Sequence, residues 1–244
     1  MNQPETGSPP VLELRGVHRF YFSGGDSEVA ALKDVTFTVA PGEFVAIMGR
    51  SGSGKSTLLS LMAGLDDPDG GTVWVAGRRI SHRDPGEQSL WRGSTIGVMT
   101  QSSGLVDHLS VLENVDLAAA LRKRARSSRE ARRQGLDVLE DPASPTSSAL
   151  LESVGLAERT RARPSTLSGG ETARANLAVA LAASPSVLLA DEPTAEVSRA
   201  EEQGVLSLLS ELRPPHGATV LVTHSHLVAQ AADRVLELDG GQLR

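Results

Sequence analysis

Residues 49–57 read GRSGSGKST, and their glycines, lysine and hydroxyl groups have the spacing of a phosphate-binding loop. They fit the pattern G-x-x-x-x-G-K-[ST], with the apolar run FVAIM before the loop and the helical pattern STLLSLMAGL after it. Glycines let backbone N–H groups turn inward around an anion, and the start of a helix adds positive potential. The loop is therefore predicted to hold nucleotide phosphates through Gly49, Arg50, Ser51, Gly52, Ser53, Gly54, Lys55, Ser56 and Thr57.

Three side chains of this loop have separate expected roles. Lys55 would bridge the β- and γ-phosphates, and Ser56 would offer its hydroxyl to Mg²⁺. Thr57 is placed to reach the α-phosphate.

A pair of adjacent carboxylates, Asp191 and Glu192, ends the apolar run VLLA. Neighbours on a strand point to opposite faces, so the two acids are expected to do different work. Asp191 suits a water-mediated hold on Mg²⁺, and Glu192 suits a general base that activates the attacking water.

A second helix start that is suited to bind an anion lies in LSGGE, residues 167–171, before the helical pattern TARANLAVALAA. Its two glycines leave backbone N–H groups bare, which suits an anion. The chain therefore carries two such helix starts.

The elements that position these groups indicate an α/β fold. Three continuous apolar runs, FVAIM, SVLLA and TVLVT, are each followed by a helical pattern, which is typical of buried parallel strands. The earlier runs indicate antiparallel ribbons, and helical patterns replace strands between about 105 and 165. The strand candidates are VLELR (11–15), VTFTV (35–39), FVAIM (44–48), TVWVA (72–76), TIGVM (95–99), SVLLA (186–190), TVLVT (219–223) and RVLEL (234–238).

The composition narrows the function classes. The 244 residues are 39% hydrophobic with a net charge of -6, which argues against a general nucleic-acid binder, and they include no cysteine. Residues 1–10 read as a polar tail without signal-peptide character, and no apolar run approaches the ~20 residues of a membrane span, so we expect a cytosolic protein. The basic run 122–133 fits either a solvated helix or a contact with lipid headgroups or an acidic partner.

Taken together, the chain resembles the nucleotide-binding subunits of ATP-binding-cassette (ABC) transporters from about residue 11 to 243. The resemblance rests on the phosphate loop, TQSSGL, LSGGE, LLADEPT and LVTHSH, in this order and spacing. It implies a P-loop NTPase cassette with a RecA-like α/β core, an antiparallel β subdomain and an inserted helical subdomain. Residues 11–244 would form one domain, with the helical subdomain at about 105–165.

The resemblance also assigns roles to residues outside the loop and the acid pair. Ser168, Gly169 and Gly170 would cap, in trans, the γ-phosphate of an ATP held by a second copy of the chain. Gln101 would contact Mg²⁺ or water, His224 would contact the γ-phosphate, and Tyr21 would stack on adenine. ATP and Mg²⁺ are the implied ligands, with Glu192, His224 and Gln101 catalytic and with Ser56, Gln101 and Asp191 at the metal.

The function implied is ATP hydrolysis that drives a separate transmembrane permease through head-to-tail dimerisation of two cassettes. The protein would be peripheral on the inner face of the cell membrane, without nucleic acid. The branch most similar in sequence serves lipoprotein release, macrolide or peptide efflux and cell-division signalling. A nucleotide-gated regulatory module, a soluble ABC-type ATPase of DNA repair or chromosome handling, and a translation factor remain alternatives.

Three departures from the family pattern bear on these expectations. Glu171 replaces the usual glutamine, and its charge is expected to weaken closure on a nucleotide. Ser198 stands where an aspartate is usual, which affects how strongly the two sites communicate. Residues 141–148 look like a local insertion. Hydrolysis is still expected, at a reduced rate.

Overall fold

The computed structural model describes residues 8–22, 28–100, 104–127, 145–182 and 184–244. Its strands are β1 (Leu12–Phe22), β2 (Glu28–Val39), β3 (Phe44–Met48), β4 (Gly70–Val75), β5 (Arg78–Arg79), β6 (Ile96–Met99), β7 (Val187–Asp191), β8 (Ala218–Thr223), β9 (Arg234–Asp239) and β10 (Gln242–Leu243). Its helices are α1 (Lys55–Met62), α2 (Pro85–Thr95), α3 (Val111–Ser127), α4 (Ser147–Ser153), α5 (Gly169–Leu181), α6 (Arg199–Glu211) and α7 (His226–Gln230).

A six-stranded sheet in the order β10-β9-β3-β8-β7-β6 forms the centre of the fold. Strands β9, β3, β8, β7 and β6 run parallel, and β10 pairs antiparallel with β9. Val45 and Ile47 of β3 pack into one hydrophobic cluster, whereas Phe44 and Ala46 pack into another. This sheet is therefore buried on both faces, which explains the continuous apolar runs of its strands.

A four-stranded antiparallel sheet in the order β2-β1-β4-β5 covers one face of the central sheet. Helix α1 contributes Leu58, Leu61 and Met62 to the same cluster, so the helix after the phosphate loop lies between the two sheets. Helices α3, α4, α5 and α6 contribute to the cluster on the opposite face.

The basic run 122–133 begins on α3, and its first residue is buried rather than exposed to solvent. Arg122 is 4% exposed and donates from its guanidinium to the carbonyl of Ser184. Burial, together with the smaller effect of the Arg126 charge, lowers the pKa of Arg122 to about 9. The solvated interpretation is therefore wrong at Arg122, while residues 128–133 lie outside the described part of the chain.

All eight predicted strands are present, and the predicted α/β class with an antiparallel second sheet is confirmed. Helix α2 and the two-residue strands β5 and β10 were not predicted. Asp84 accepts a hydrogen bond from the Gly86 N–H and Pro85 occupies the first turn, so capping chemistry marked the start of α2. The proposed domain limits and the role of residues 141–148 stay predictions, and residues 141–144 lie outside the described chain.

Among the helices of the described residues, none has the length and apolar character needed to cross a lipid bilayer.

Candidate functional site

The carboxyl ends of three adjacent parallel strands bring the predicted site residues together. In the pairing of β3 with β8, Met48 lies opposite Thr223, and in the pairing of β7 with β8, Asp191 lies opposite Val222. The phosphate loop, the acid pair and His224 therefore leave the sheet at the same edge. Open parallel sheets place ligands at this edge, because the chain turns away from it into loops.

The phosphate loop turns into α1 through Gly54, which has a φ of 103°. A Cβ on Gly54 would lie 2.4 Å from the carbonyl oxygen of Ala31, so both its backbone conformation and its surroundings require glycine. Helix geometry leaves the N–H groups of the first turn, at residues 55–57, without acceptors inside the helix. These N–H groups are the ones that the sequence predicts for phosphate.

Lys55 is 8% exposed, and its ammonium group forms hydrogen bonds with the backbone of the phosphate loop. Nζ donates to the carbonyl oxygens of Gly49 at 2.8 Å and Arg50 at 3.1 Å. The amine is thus kept at the loop by neutral acceptors, which an anion can replace with a stronger charge-assisted partner.

Asp191 ends β7 beside the loop and carries a perturbed carboxyl group. Burial raises the pKa of the Asp191 carboxyl, and the neighbouring Glu192 carboxylate raises it further. A hydrogen bond with the Ser56 side chain and the charge of Lys55 act in the opposite direction. Ser56 and Asp191, the two predicted metal residues within the described chain, are therefore in direct contact.

Glu192 lies one residue beyond β7 and has a φ of 45°. The left-handed backbone, rather than the alternation of a strand, separates its side chain from that of Asp191. This corrects the expectation that strand alternation would divide the work of the two acids. The strand β7 ends at Asp191, so Glu192 lies outside it, although the Glu192 N–H still bonds to the carbonyl of Val222 on β8.

The Glu192 carboxylate is held by the segment that follows β8. Oε1 lies 2.7 Å from Nδ1 of His224, and Oε2 accepts from the Thr223 hydroxyl at 3.0 Å and from the His224 N–H at 3.3 Å. The side chain of Glu192 is 12% exposed and that of His224 is 69% exposed. Thr223 was missed at the sequence level, although it lies within the LVTHSH motif.

A cleft of about 680 Å³ opens over these groups. Its lining includes Lys55, Asp191, Glu192 and His224, together with Tyr21 of β1. Sequence reasoning missed several further lining residues, Val29, Ala30, Ala31, Lys33, Gly240 and Gly241. They come from β2 and from the turn between β9 and β10, whose proximity to the loop no local motif shows.

Tyr21 is 40% exposed and is fixed by two contacts on the four-stranded sheet. Its hydroxyl donates to Asp66 at 3.1 Å, and the guanidinium of Arg19 lies 4.9 Å from the centre of its ring. The cation occupies one ring face, so an aromatic base would stack on the other face.

The LSGGE turn starts α5 outside the lining of this cleft, and Ser168 and Glu171 form hydrogen bonds with each other there. Ser168 caps the helix by accepting from the Glu171 N–H at 3.1 Å, and Glu171 accepts from the Ser168 N–H at 2.9 Å. Ser168, Gly169 and Gly170 do not line the cleft that holds Lys55. The structure therefore brings together the loop, the acid pair, His224 and Tyr21, but not the second helix start; Gln101 lies outside the described residues.

The two glycines of the turn also have a packing reason within one chain. A Cβ on Gly169 would lie 2.0 Å from the carbonyl oxygen of Glu196, and a Cβ on Gly170 would lie 2.5 Å from Oε1 of Glu201. The segment after the acid pair thus packs directly on this turn.

Glu171 turns its charge toward its own helix start and toward Arg159, whose Nε donates to it at 2.8 Å. The hydrogen bond from the Ser168 N–H lowers the pKa of the Glu171 carboxyl, against the opposing effect of burial, and Arg159 lowers it further. The departure from glutamine is therefore compensated locally by a cation.

Comparisons with known proteins agree with this geometry. The family model described as ABC transporter matches residues 32–195. The chain is 39% identical over 236 residues to the macrolide export ATP-binding/permease protein MacB of Hyphomonas neptunium, covering 97% of this chain and 34% of that protein. The chain thus spans about a third of the length of this curated relative.

Two further similarities cover nearly whole chains. The uncharacterized ABC transporter ATP-binding protein Rv0986 of Mycobacterium tuberculosis is 37% identical over 235 residues, which are 96% of this chain and 89% of that protein. The cassette MJ0796, solved as a dimer in a post-hydrolysis state with ADP and Pi, is 32% identical with a TM-score of 0.80, and the match covers 96% of both chains.

Gly169→Ala is expected to destabilise the isolated chain by about 1–3 kcal/mol, because the new methyl group would overlap the Glu196 carbonyl. Gly204→Ala on α6 is the matched control. A Cβ there meets no atom within 4 Å, so better helix propensity should stabilise the protein by about 0.5–1 kcal/mol. Urea unfolding without nucleotide measures both changes. Equal effects of the two substitutions would rule out the packing role of Gly169.

Glu171→Gln is expected to reduce the amount by which the free energy of unfolding falls as the pH is lowered. The folded state lowers the pKa of Glu171 below its ordinary value of 4.5, so its stabilisation is present above that pH and is lost as pH falls through the lower folded value. Wild type should therefore lose more unfolding free energy than Glu171→Gln between about pH 5 and about pH 3. Urea titrations across this range measure it, with Glu152→Gln, an exposed acid on α4, as the control. Identical acid limbs for wild type and Glu171→Gln would contradict the assignment.

Proposed function

The chain belongs to the ABC transporter family, and we propose that it works as the ATP-binding and ATP-hydrolysing subunit of a transporter. The observation that carries the proposal is the convergence of Lys55, Asp191, Glu192 and His224 on one cleft at the carboxyl edge of the parallel sheet. The loop supplies phosphate donors, and the acids supply a metal ligand and a proton acceptor.

The residues divide the work of binding as follows. The loop N–H groups and Lys55 bind the phosphates, and Thr57 lies in the same cleft for the α-phosphate. Tyr21 lines the same cleft, and the ring face that Arg19 does not cover is the one proposed to stack on adenine. These roles place the γ-phosphate toward Glu192 and His224.

Mg²⁺ fits the pair formed by Ser56 and Asp191. A hydroxyl and a carboxylate are ligands that Mg²⁺ prefers. Burial raises the pKa of Asp191 and so disfavours its carboxylate form, which a bound cation would stabilise. Within the described residues no cluster of three His, Cys, Asp or Glu forms a metal site, which agrees with a metal that takes its other ligands from phosphates and water. When bound, the ion neutralises charge on the phosphates.

Glu192 is the proposed general base. Its carboxylate accepts the proton of a water whose oxygen bonds to the γ-phosphorus, while the bond from that phosphorus to the bridging oxygen breaks. Thr223 and the His224 N–H fix Oε2, and His224 Nδ1 fixes Oε1. His224 is exposed enough to exchange its contact with Glu192 for one with the phosphate. Gln101 keeps its predicted role beside the metal.

The second helix start is proposed to act in trans. Ser168, Gly169 and Gly170 lie outside the cleft of their own chain, and the α5 helix dipole adds positive potential at this turn. Two copies packed head to tail would close each cleft with the partner's turn, and the related cassette MJ0796 was itself solved as a dimer. ATP would join the copies, and hydrolysis would let them separate.

A separate permease is the proposed membrane partner, with this chain bound peripherally at the inner face of the membrane. The similarity to MacB and to the pyoverdine export protein PvdT of Pseudomonas aeruginosa supports an export system of this branch. Each of those relatives is named as an ATP-binding/permease protein and is about three times as long as the match. Nucleic acid is not a proposed partner.

Wild-type protein is expected to release phosphate from ATP only with Mg²⁺, and Glu192→Gln should lower that rate at least about 100-fold. The amide keeps the size of the side chain but cannot accept the proton, so the variant should still bind ATP and accumulate as a dimer. Phosphate release and sizing chromatography with Mg-ATP measure the two effects. Lys123→Ala on α3, outside the cleft, is the control.

A nucleotide-gated regulatory module makes the opposite prediction. Wild type would then bind ATP without turnover, and Glu192→Gln would behave like wild type in both measurements. Normal turnover by Glu192→Gln would remove Glu192 from the role of base.

A further inference from the structure

The first turn of α6 carries two adjacent acids, Glu201 and Glu202, whose carboxylates go to different neighbours. Glu201 accepts from the Ser198 hydroxyl at 2.9 Å and lies against Gly170. Glu202 instead accepts two hydroxyl groups through its Oε1, from Thr194 at 3.2 Å and from Ser225 at 3.5 Å. No motif at the sequence level singles out Glu202.

The two hydroxyls bound by Glu202 belong to the segments that carry the proposed base and its partner. Thr194 follows Glu192 by two residues and is 8% exposed, and Ser225 directly follows His224. One carboxylate on α6 therefore ties together two chain segments that leave different strands, β7 and β8.

The contacts continue from Ser225 back to the base. The Ser225 N–H donates to the Thr223 hydroxyl oxygen at 3.0 Å, and that hydroxyl donates to Glu192 Oε2 at 3.0 Å. Ser225 also caps α7, where its hydroxyl oxygen accepts from the Val228 N–H. A shift of Ser225 would thus move both Thr223 and the start of the helix after His224.

Glu192 needs such support because its own backbone is strained. A φ of 45° is unfavourable for a residue with a Cβ, and the conformation persists only where neighbouring contacts fix it. On one side the Ala195 N–H bonds to the Glu192 carbonyl, and on the other the Glu192 N–H bonds to Val222. Thr194 lies inside this turn, and its side chain is anchored by Glu202.

We propose that Glu202 is a positioning residue for ATP hydrolysis, because its carboxylate joins the Thr194 and Ser225 segments and so sets the position of Glu192 relative to His224. This inference rests on the proposed function. Glu202 is absent from the cleft lining and acts through its two hydroxyl partners, so nucleotide binding is unaffected and the hydrolytic step is sensitive. The start of α6 also favours the negative charge of Glu202.

Glu202→Ala is expected to lower kcat for ATP about tenfold while KM changes less than about twofold, because small misplacements of a reacting group reduce rate more than binding. Glu202→Gln keeps an Oε1 that accepts both hydroxyls and should retain at least about half of the wild-type kcat. Glu211→Gln, which removes an exposed charge at the other end of α6, is the control and should match wild type.

A second set of variants covers the case in which Glu202→Ala fails to fold. Thr194→Val removes the hydroxyl with little change of shape and should also lower kcat at unchanged KM. Combined with Glu202→Ala, it should add little further loss, because both substitutions remove the same contact.

Wild-type kcat for Glu202→Ala or for Thr194→Val would overturn the proposal, and so would a loss in which KM rises as much as kcat falls. Equal loss in Glu202→Gln and Glu202→Ala would also overturn it, since the acceptor geometry would then not matter. If wild type itself releases no phosphate with Mg-ATP, the proposed function fails instead. The two failures are therefore distinguished by the wild-type rate.

Discussion

Two adjacent carboxylates, Asp191 and Glu192, must be held in a partly buried position at the end of β7, and the arrangement of the site follows from this constraint. Burial raises the pKa of Asp191, and the Glu192 charge adds to the cost, while Ser56 and Lys55 reduce it. Glu192, the first residue after the strand, has a left-handed backbone conformation. Its carboxylate accepts hydrogen bonds from the Thr223 hydroxyl and the His224 N–H, at the end of β8. The phosphate loop therefore stabilises the charge of Asp191, and the segment that contains His224 stabilises the charge of Glu192.

The N-termini of α1 and α5, both suited to bind an anion, have different surroundings. The start of α1 faces the cleft, where the Lys55 ammonium group donates to the neutral carbonyl oxygens of Gly49 and Arg50. The start of α5 is completed by its own capping box, and Gly169 contacts the Glu196 carbonyl. Since Glu196 follows Glu192 by four residues, the proposed trans contact and the proposed base share one short, tightly packed segment.

The departures from the family pattern acquire local explanations. Glu171 is part of the capping box and pairs with Arg159, so its charge is partly neutralised within the chain. Ser198 donates to Glu201 rather than reaching the acid pair, and the carboxylate that does reach the neighbouring segments comes from Glu202. A side chain from α6 thereby contributes to the polar network beside Glu192.

The eight longer strands, the loop and the acid pair could be predicted from the sequence, because these depend on local signals: continuous apolar runs, glycine spacing and carboxylates at a strand end. The sequence could not determine that Thr223 and His224 bind Glu192, or that residues 29–33 and 240–241 line the cleft, because those contacts join segments far apart in the chain. Strand order and register decided them, since the pairing of β3, β8 and β7 brings three separate strand ends to one edge. The left-handed backbone of Glu192 and the link through Glu202 likewise exist only after the sheet has formed, when packing fixes a conformation that local preference disfavours.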